Sequence, residues 1–225
     1  MTGLMEKLRV FFKSNKDSIG SKERLEKLLW KFNQSSSPLF LIAGSWGIEL
    51  TSGKVLEHDD IDLIVLQNPP YYIDDAEEIE ESCFDIIPLD SNYFEDNFLE
   101  REFKGIKVFV PSYNLQICLK LIGQLQENLP ERAIKQLEVL LGSYEGFDKG
   151  KSQEEINYIL GKLTPEDLNY KAISEYLVGA IENYLKGEKG KSIDEFIKIH
   201  SLINKSLRFQ FEKRGLTKKI GISLK

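Results

Sequence analysis

The chain has 225 residues, and its 41% hydrophobic and 29% charged residues are typical of a globular protein with an apolar core, not of a disordered chain. Its net charge of -6 is unevenly spread: 16 acidic residues and one basic residue lie between Glu57 and Glu102, whereas seven basic residues and one acid lie between Lys205 and Lys225. Two cysteines exclude a disulfide framework and a cysteine-based zinc site, and no signal peptide or membrane span is predicted, so we expect a reduced, cytoplasmic protein.

The N-terminal half predicts helices followed by short strands. Apolar residues recur at helical spacing in Leu4–Phe12 and in Ser21–Phe32, where four of them share one face (Leu25, Leu28, Leu29 and Phe32). Four short apolar segments that end at Gly, Asn or Pro predict strands: Leu39–Ala43, Ile61–Leu66, Cys83–Pro88 and Gly105–Val110. Because irregular or helical pieces separate them, we expect a small mixed sheet with helices packed against it.

The C-terminal half predicts helices only, at Leu115–Gln124, Glu131–Leu141, Gln153–Leu160, Pro165–Leu185 and Ser192–Phe211. Ser112, Thr164 and Ser192 stand where N-cap residues are expected, with Pro165 as a first helical residue. The fold class is therefore α+β: N-terminal helices in 1–37, a sheet-containing core in 38–125 and a helical domain in 126–225.

Two carboxylates on the second strand point to chemistry. Asp60 and Asp62 are two residues apart, so on extended backbone both side chains leave the same face, with Cα atoms roughly 7 Å apart. Ile61 and Leu63 then point the other way, into the core. Neighbouring carboxylates repel each other, and a divalent cation bound by both removes that conflict. Oxygen-only ligands favour Mg²⁺.

A phosphate site is predicted beside this pair. Gly44-Ser45 ends the first strand and leads into a helix over Trp46–Thr51, which exposes backbone N–H groups and a hydroxyl to an anion. A phosphate site next to a metal-binding carboxylate pair is what transfer of a nucleotidyl group requires.

The segment that carries these residues resembles the nucleotidyltransferases of the polymerase-β type, whose motif is hG[GS] followed by Dh[DE]h. More narrowly, it is similar to small aminoglycoside and lincosamide nucleotidyltransferases, on eight residues: Gly44, Trp46, Ile48, Glu49, Gly53, His58, Asp60 and Asp62. The resemblance covers about 25–123, and the later helices are similar only in being helical.

This resemblance implies a Mg²⁺-dependent enzyme that moves a nucleoside monophosphate from a triphosphate, with ATP as the first candidate, to a hydroxyl of a small molecule, releasing pyrophosphate. Antibiotic acceptors imply a role in resistance. Asp60 and Asp62 would hold the metal, and Asp85, in F-D-I-I-P, would complete the site and deprotonate the acceptor, with Asp90 in reserve. Gly44 and three further residues would contact the nucleotide (Ser45, Lys54 and His58).

The segment departs from that family at three places. Ser45 replaces the second glycine, as the wider superfamily allows, and Glu49 replaces the usual aspartate. The loop between Gly53 and His58 is one residue shorter, and Leu56-Glu57 stands where the family has an arginine. Lys54 is the candidate to take the place of that arginine.

Individual residues have structural alternatives. Trp46 is either a core aromatic residue or a surface on which a base stacks. His58 either ligates the metal, contacts phosphate or braces the loop, and bracing is favoured. His200 has no ligand partners in its helix, which favours a packed or surface histidine. Asp60 and Asp62 without a ligand would be acids on an edge strand.

Two other functions remain open from the sequence. The acceptor could be a macromolecule, such as an RNA end or a protein; the acidic middle argues against nucleic acid and the basic segment 205–219 argues weakly for it. Alternatively, the missing arginine would suit a catalytically inactive nucleotide-binding module. Both a monomer and a homodimer are compatible with the sequence.

Overall fold

The computed structural model describes residues 2–15, 20–32, 38–67, 70–74, 87–123, 126, 128–166 and 168–213. The chain divides into two units, Met1–Ser112 and Tyr113–Lys225. The helix that begins at Tyr113, which the sequence analysis groups with the N-terminal core, lies in the second unit. Within the described ranges, no helix is both long and apolar enough to cross a bilayer.

The first unit contains all the strands of the described residues: Phe40–Ile42 (β1), Asp62–Val65 (β2), Tyr71–Asp74 (β3), Phe98–Phe103 (β4) and Ile106–Pro111 (β5). Strands β1, β2 and β3 form an antiparallel sheet in that order, and β4 and β5 form an antiparallel hairpin. Ile42 pairs with Leu63, so the end of β1 lies beside the start of β2. This register brings the residue after β1 close to the first residue of β2.

The helices of the first unit are Thr2–Asn15 (α1), Ser21–Lys31 (α2), Gly44–Ser52 (α3) and Ser91–Asp96 (α4). The predicted apolar face of α2 is confirmed, because Leu25, Leu28, Leu29 and Phe32 are all buried. They join one apolar core with side chains of α1, α3 and the strands. Trp30, on the opposite face of α2, is 65% exposed.

The strands agree only in part with the sequence predictions. Three predicted strands are confirmed as β1, β2 and β5, whereas the one predicted at Cys83–Pro88 lies largely outside the described residues. Every strand pair in the described part is antiparallel, which corrects the mixed sheet predicted there. The physical reason is visible between β2 and β3, because five residues link them and a parallel crossover needs a dozen or more.

The second unit is helical over the residues described: Tyr113–Ile122 (α5), Glu131–Gly142 (α6), Lys149–Leu163 (α7), Tyr170–Leu185 (α8) and Lys189–Lys213 (α9). Helix α8 packs against α7 and α9, and α5 packs against α6, α7 and α9. The predicted helical C-terminal half is therefore confirmed for this part of the chain.

Two of the predicted N-caps are wrong. Thr164 ends α7 instead of starting the next helix, and its hydroxyl donates to the carbonyl of Leu160 at 2.5 Å. Helix α8 begins only at Tyr170, so Pro165 lies between the helices. Ser192 lies inside α9, fully buried, and donates to the carbonyl of Ala180 at 2.8 Å. Short hydroxyl side chains can also donate to carbonyls, one turn back in the same helix for Thr164 and in the preceding helix α8 for Ser192, so residue type alone did not identify a cap.

Candidate functional site

Gly44 and Asp62 meet at the junction between β1, α3 and β2. Gly44 is the first residue of α3 and has a positive φ of 57°. A Cβ atom at this position would lie 1.6 Å from Oδ2 and 2.6 Å from Cγ of Asp62. Glycine is therefore required twice, by the left-handed backbone and by the carboxylate that occupies the place of a side chain. The backbone N–H of Ala43 donates to the carbonyl of Asp62 at 2.8 Å and fixes this approach.

The start of α3 has a backbone geometry that favours anions. The first N–H groups of a helix have no partner within the helix, and the helix dipole favours negative charge there. Ser45, in this first turn, is buried. The predicted pairing of a Gly-Ser helix start with a strand carboxylate is thus present in the fold, with Gly44 and Asp62 in direct proximity.

Asp62 has a partner that the sequence analysis missed. The phenol of Tyr72, on β3, donates a hydrogen bond to Oδ1 of Asp62. In the β2–β3 register Tyr72 pairs with Ile64, and Asp74 lies directly across from Asp62. No sequence signal identified this partner, because β3 was not predicted. One carboxylate oxygen thus faces Tyr72 and the other faces Gly44.

Asp60 follows the predicted alternation. Asp60 and Asp62 are partly exposed, whereas Ile61 and Leu63 are fully buried at 0% exposure. An alternation of this kind places successive side chains on opposite sides of the backbone. The two carboxylates therefore lie on the solvent side of this segment, as the sequence predicts.

Helix α2 holds the main chain just before β2. The hydroxyl of Ser21 donates to the carbonyl of Asp60 at 3.3 Å, and the guanidinium of Arg24 donates to the carbonyl of Asp59 at 3.3 Å. Both bonds go to backbone carbonyls, and neither of them involves the Asp60 carboxylate. The segment that carries the carboxylates is consequently anchored from two elements, α2 and β1.

His58 is enclosed by α3. Its ring stacks on Trp46 with centroids 3.6 Å apart and planes inclined by 6°, and its Nε2 lies 2.7 Å from Oε2 of Glu49. Trp46 is 2% exposed, which confirms it as a core aromatic residue. The contacts of His58 are those of a residue that braces the loop, and its predicted contact with the nucleotide stays a prediction.

The remaining predicted site residues lie apart from these contacts. Lys54 is exposed, and its backbone N–H donates to Oγ of Ser52 at 3.2 Å. Asp85 lies outside the described residues, so its role stays a prediction. Asp90 is exposed and directly precedes α4.

The side chains near Gly44 offer oxygen donors to a cation. In the part of the chain that the structure describes, no group of three or more His, Cys, Asp or Glu side chains could hold a metal ion. Asp60 and Asp62 supply carboxylate oxygens, the donor type Mg²⁺ prefers, and enzymes that bind Mg²⁺ with a nucleotide commonly use one or two carboxylates with phosphate oxygens and water. The residues present therefore fit Mg²⁺ held jointly with phosphates.

The second unit contains a separate polar cluster. Asn114 donates to Oε2 of Glu155 at 2.6 Å, and the Tyr144 hydroxyl donates to Oδ1 of Asn114 at 2.9 Å and lies 3.2 Å from Oγ of Ser152. Burial raises the pKa of Tyr144 to about 12. Burial, with Glu155 nearby, also raises the pKa of the Cys118 thiol well above its usual value. The hydrogen bonds from Asn114 to Glu155, and from Tyr144 to Asn114 and Ser152, link α5 to α7.

His200 is a packed histidine, which confirms the favoured alternative. It is fully buried, with Nδ1 3.0 Å from the carbonyl of Leu121 and Nε2 3.1 Å from the carbonyl of Gln126.

Comparison of the chain with protein-family models, with curated proteins and with solved structures gave no match. The functional assignment therefore depends on the sequence motif and on the geometry around Gly44 and Asp62.

Proposed function

We propose that the chain is a nucleotidyltransferase that moves a nucleoside monophosphate from a nucleoside triphosphate, with ATP as the first candidate, to a hydroxyl of a small molecule. The observation that carries this proposal is the approach of the Asp62 carboxylate to Gly44, in the space a side chain would fill. It brings together a helix start suited to phosphate and a carboxylate suited to a divalent cation.

A physical reason connects the phosphate site with the carboxylates. A carboxylate beside a phosphate site repels the phosphate unless a cation lies between them. In the proposed function Asp60 and Asp62 hold Mg²⁺, which supplies charge neutralisation to the triphosphate. The N–H groups at the start of α3 and the Ser45 hydroxyl bind phosphate oxygens. The two groups of residues therefore need each other, since either alone would be a weak site.

The reaction is an in-line displacement at the α-phosphorus. The acceptor oxygen forms a bond to this phosphorus while the bond to the oxygen bridging the α- and β-phosphates breaks, and the leaving group is pyrophosphate. The proton of the acceptor hydroxyl passes to a carboxylate, for which the family resemblance favours Asp85. Positioning and electrostatic stabilisation supply most of the catalysis in reactions of this type.

A cationic small acceptor fits the charges of the chain. Between Glu57 and Glu102 the only basic residue among 16 acids is Arg101. Such a region repels a nucleic-acid acceptor and attracts a compact cationic one. An aminoglycoside, which carries several ammonium groups and several hydroxyls, is therefore the first candidate acceptor, followed by a lincosamide.

Calorimetric titration tests the proposal. ATP and GTP, each with and without Mg²⁺, are titrated into the wild-type protein and into Asp60→Asn and Asp62→Asn. We expect Mg²⁺-dependent binding in the wild type and its loss in both variants, because each substitution removes a charged oxygen ligand. Lys162→Gln, a substitution at an exposed residue of α7, is the control for surface charge and should bind as the wild type does.

Pyrophosphate release with aminoglycosides and lincosamides then identifies the acceptor. Full activity of Asp60→Asn or Asp62→Asn would refute the metal assignment. A wild-type protein that binds neither nucleotide would refute the proposed function. Binding without pyrophosphate release for any hydroxyl acceptor would instead support an inactive nucleotide-binding module.

A further inference from the structure

We propose that Glu49 and His58 form a positioning pair that fixes the loop 53–61 and so holds Asp60 beside Asp62 for metal binding. The purpose of the pair, which is to hold a metal ligand in place, rests on the proposed function. Neither residue needs to touch the metal or the nucleotide in this role.

Glu49 ties the loop to helix α3. One carboxylate oxygen, Oε2, accepts hydrogen bonds from the backbone N–H of Leu56 and from Nε2 of His58, both at 2.7 Å. Bonds to an ionised acceptor at this length are charge-assisted and stronger than neutral ones. The Glu49 side chain is 17% exposed, so water competes little for it. Both bonds lead from the last turns of the helix into the loop.

His58 is fixed in position and in tautomer. A nitrogen that faces a carboxylate carries the proton, so Nε2–H donates to Glu49. The ring is 9% exposed and lies flat on Trp46, and its Nδ1 has no hydrogen-bond partner among the described residues. The hydrogen bond and the ring stacking of His58 therefore both run to helix α3, and they hold the main chain two residues before Asp60.

A second chain of contacts reaches Asp60 from the other side of Trp46. The indole Nε1–H of Trp46 donates to Oγ of Ser21 at 2.7 Å, and this hydroxyl donates to the carbonyl of Asp60 at 3.3 Å. The tryptophan thus links the His58 ring on one side with the backbone of Asp60 on the other. With both links in place, the loop has little freedom to carry Asp60 away from Asp62.

The polar character of Glu49 and His58 indicates that the pair positions the loop and does more than fill space in the core. Removing a carboxylate and an imidazole from water costs free energy that an apolar pair of similar size would not require. What the polar pair adds is direction, because hydrogen bonds fix the loop backbone at Leu56 and the ring orientation at His58. Supporting residues of this kind commonly change metal affinity by roughly 10- to 100-fold when they are removed.

Mn²⁺ binding to the full chain, followed by electron paramagnetic resonance, tests the proposal. Mn²⁺ stands in for Mg²⁺ because it takes the same oxygen ligands. We expect Glu49→Ala and His58→Ala to raise the Kd for Mn²⁺ by at least about tenfold. Glu49→Gln keeps an oxygen acceptor for both donors and should restore the Kd to within about threefold of the wild type.

Two controls separate position from stability. Val55→Ala alters an 88% exposed side chain of the same loop, and Leu8→Val lowers the stability of the first unit from α1. Both should leave the Kd for Mn²⁺ unchanged. A wild-type Kd in Glu49→Ala and His58→Ala, or an equal loss of affinity in Leu8→Val, would overturn the proposal.

Hydrogen exchange gives a readout that does not depend on metal. In Glu49→Ala the Leu56 amide and the rest of 53–61 should exchange faster, whereas Val55→Ala should leave them unchanged. Unchanged exchange in Glu49→Ala would overturn the proposal even if metal binding fell. A wild-type protein that binds no Mn²⁺ would count against the proposed function, and the exchange result would still decide whether the pair fixes the loop.

Discussion

Replacing Gly44 with alanine should destabilise the first unit and disrupt the Asp62 site at the same time. Holding alanine at the left-handed φ of 57° costs about 1–2 kcal/mol. The new Cβ atom would also lie 1.6 Å from Oδ2 of Asp62, so the carboxylate must move and its hydrogen bond with Tyr72 is lost. A hydrogen bond to a charged group contributes about 1.5–3 kcal/mol. The two terms together predict a loss of about 2.5–5 kcal/mol in the free energy of unfolding.

The chain offers a matched control and a local reporter for this measurement. Gly53 also has a positive φ, of 70°, but a Cβ atom there would meet nothing within 4 Å, so Gly53→Ala isolates the backbone cost of about 1–2 kcal/mol. The chain has two tryptophans, Trp30 and Trp46, and both lie in the first unit. Urea unfolding followed by tryptophan fluorescence therefore reports on that unit.

A double-mutant cycle decides whether the carboxylate is the cause. In an Asp62→Ala background the atoms nearest to the added Cβ, at 1.6 and 2.6 Å, are gone, so Gly44→Ala should then cost about as much as Gly53→Ala. Equal losses for Gly44→Ala and Gly53→Ala in the wild-type background would refute the reasoning. So would a Gly44→Ala variant that still binds Mn²⁺ with the wild-type Kd.

Three further predictions concern the second unit. The folded state raises the pKa of Tyr144 from 10.0 to about 12. The stabilisation by the protonated Tyr144 hydroxyl is therefore complete below pH 10 and is lost as the pH rises through 12. In this window the stability of the wild type should fall more steeply than that of Tyr144→Phe. In a Cys83→Ser protein, the buried Cys118 thiol should react with an aromatic disulfide reagent only after urea is added, and rapid reaction of the native protein would contradict its burial. Ser192→Ala should lower stability by about 1 kcal/mol in urea unfolding followed by circular dichroism, whereas the exposed Ser201→Ala should change it by less than about 0.5 kcal/mol.

Local patterns in the sequence were sufficient to predict those features of the fold that depend on one strong local signal. The apolar face of α2 follows from helical spacing, and the alternation around Asp60 and Asp62 follows from strand spacing. Gly44 could be identified because only glycine fits a tight junction between a strand and a helix. These features depend on neighbours in sequence, which a single chain displays directly.

Strand β4 was not predicted, because its pattern of polar and apolar residues is not typical of a strand. Phe98–Phe103 carries three charged residues and gives no clear alternation. The signal that could have found it is the turn that follows, because Lys104 and Gly105 both have positive φ, of 50° and 77°, as a two-residue hairpin turn of type I′ requires. Asn-Gly and Asp-Gly are the usual signals for this turn, and Lys-Gly is a weaker one.

The partners of the site depend on contacts distant in sequence. Tyr72 reaches Asp62 only through the register of β2 and β3, and Ser21 reaches Asp60 from a helix 39 residues earlier. Neither partner has a motif of its own. The fold therefore had to be known before these side chains could be connected to the site.

The geometry also predicts how metal and nucleotide affect each other's affinity in the proposed function. One oxygen of Asp62 already accepts from Tyr72 and the other lies against Gly44, so a cation held here without phosphate should bind more weakly than one that also has phosphate oxygens as ligands. A triphosphate on the N–H groups of α3 would add oxygen ligands next to the same carboxylate. Metal and nucleotide should then strengthen each other's binding by the same factor, as linkage requires. The nucleotidyltransferases that the sequence resembles have a loop arginine where this chain has Leu56-Glu57, and a cation bound together with the nucleotide would supply the positive charge that this loop lacks.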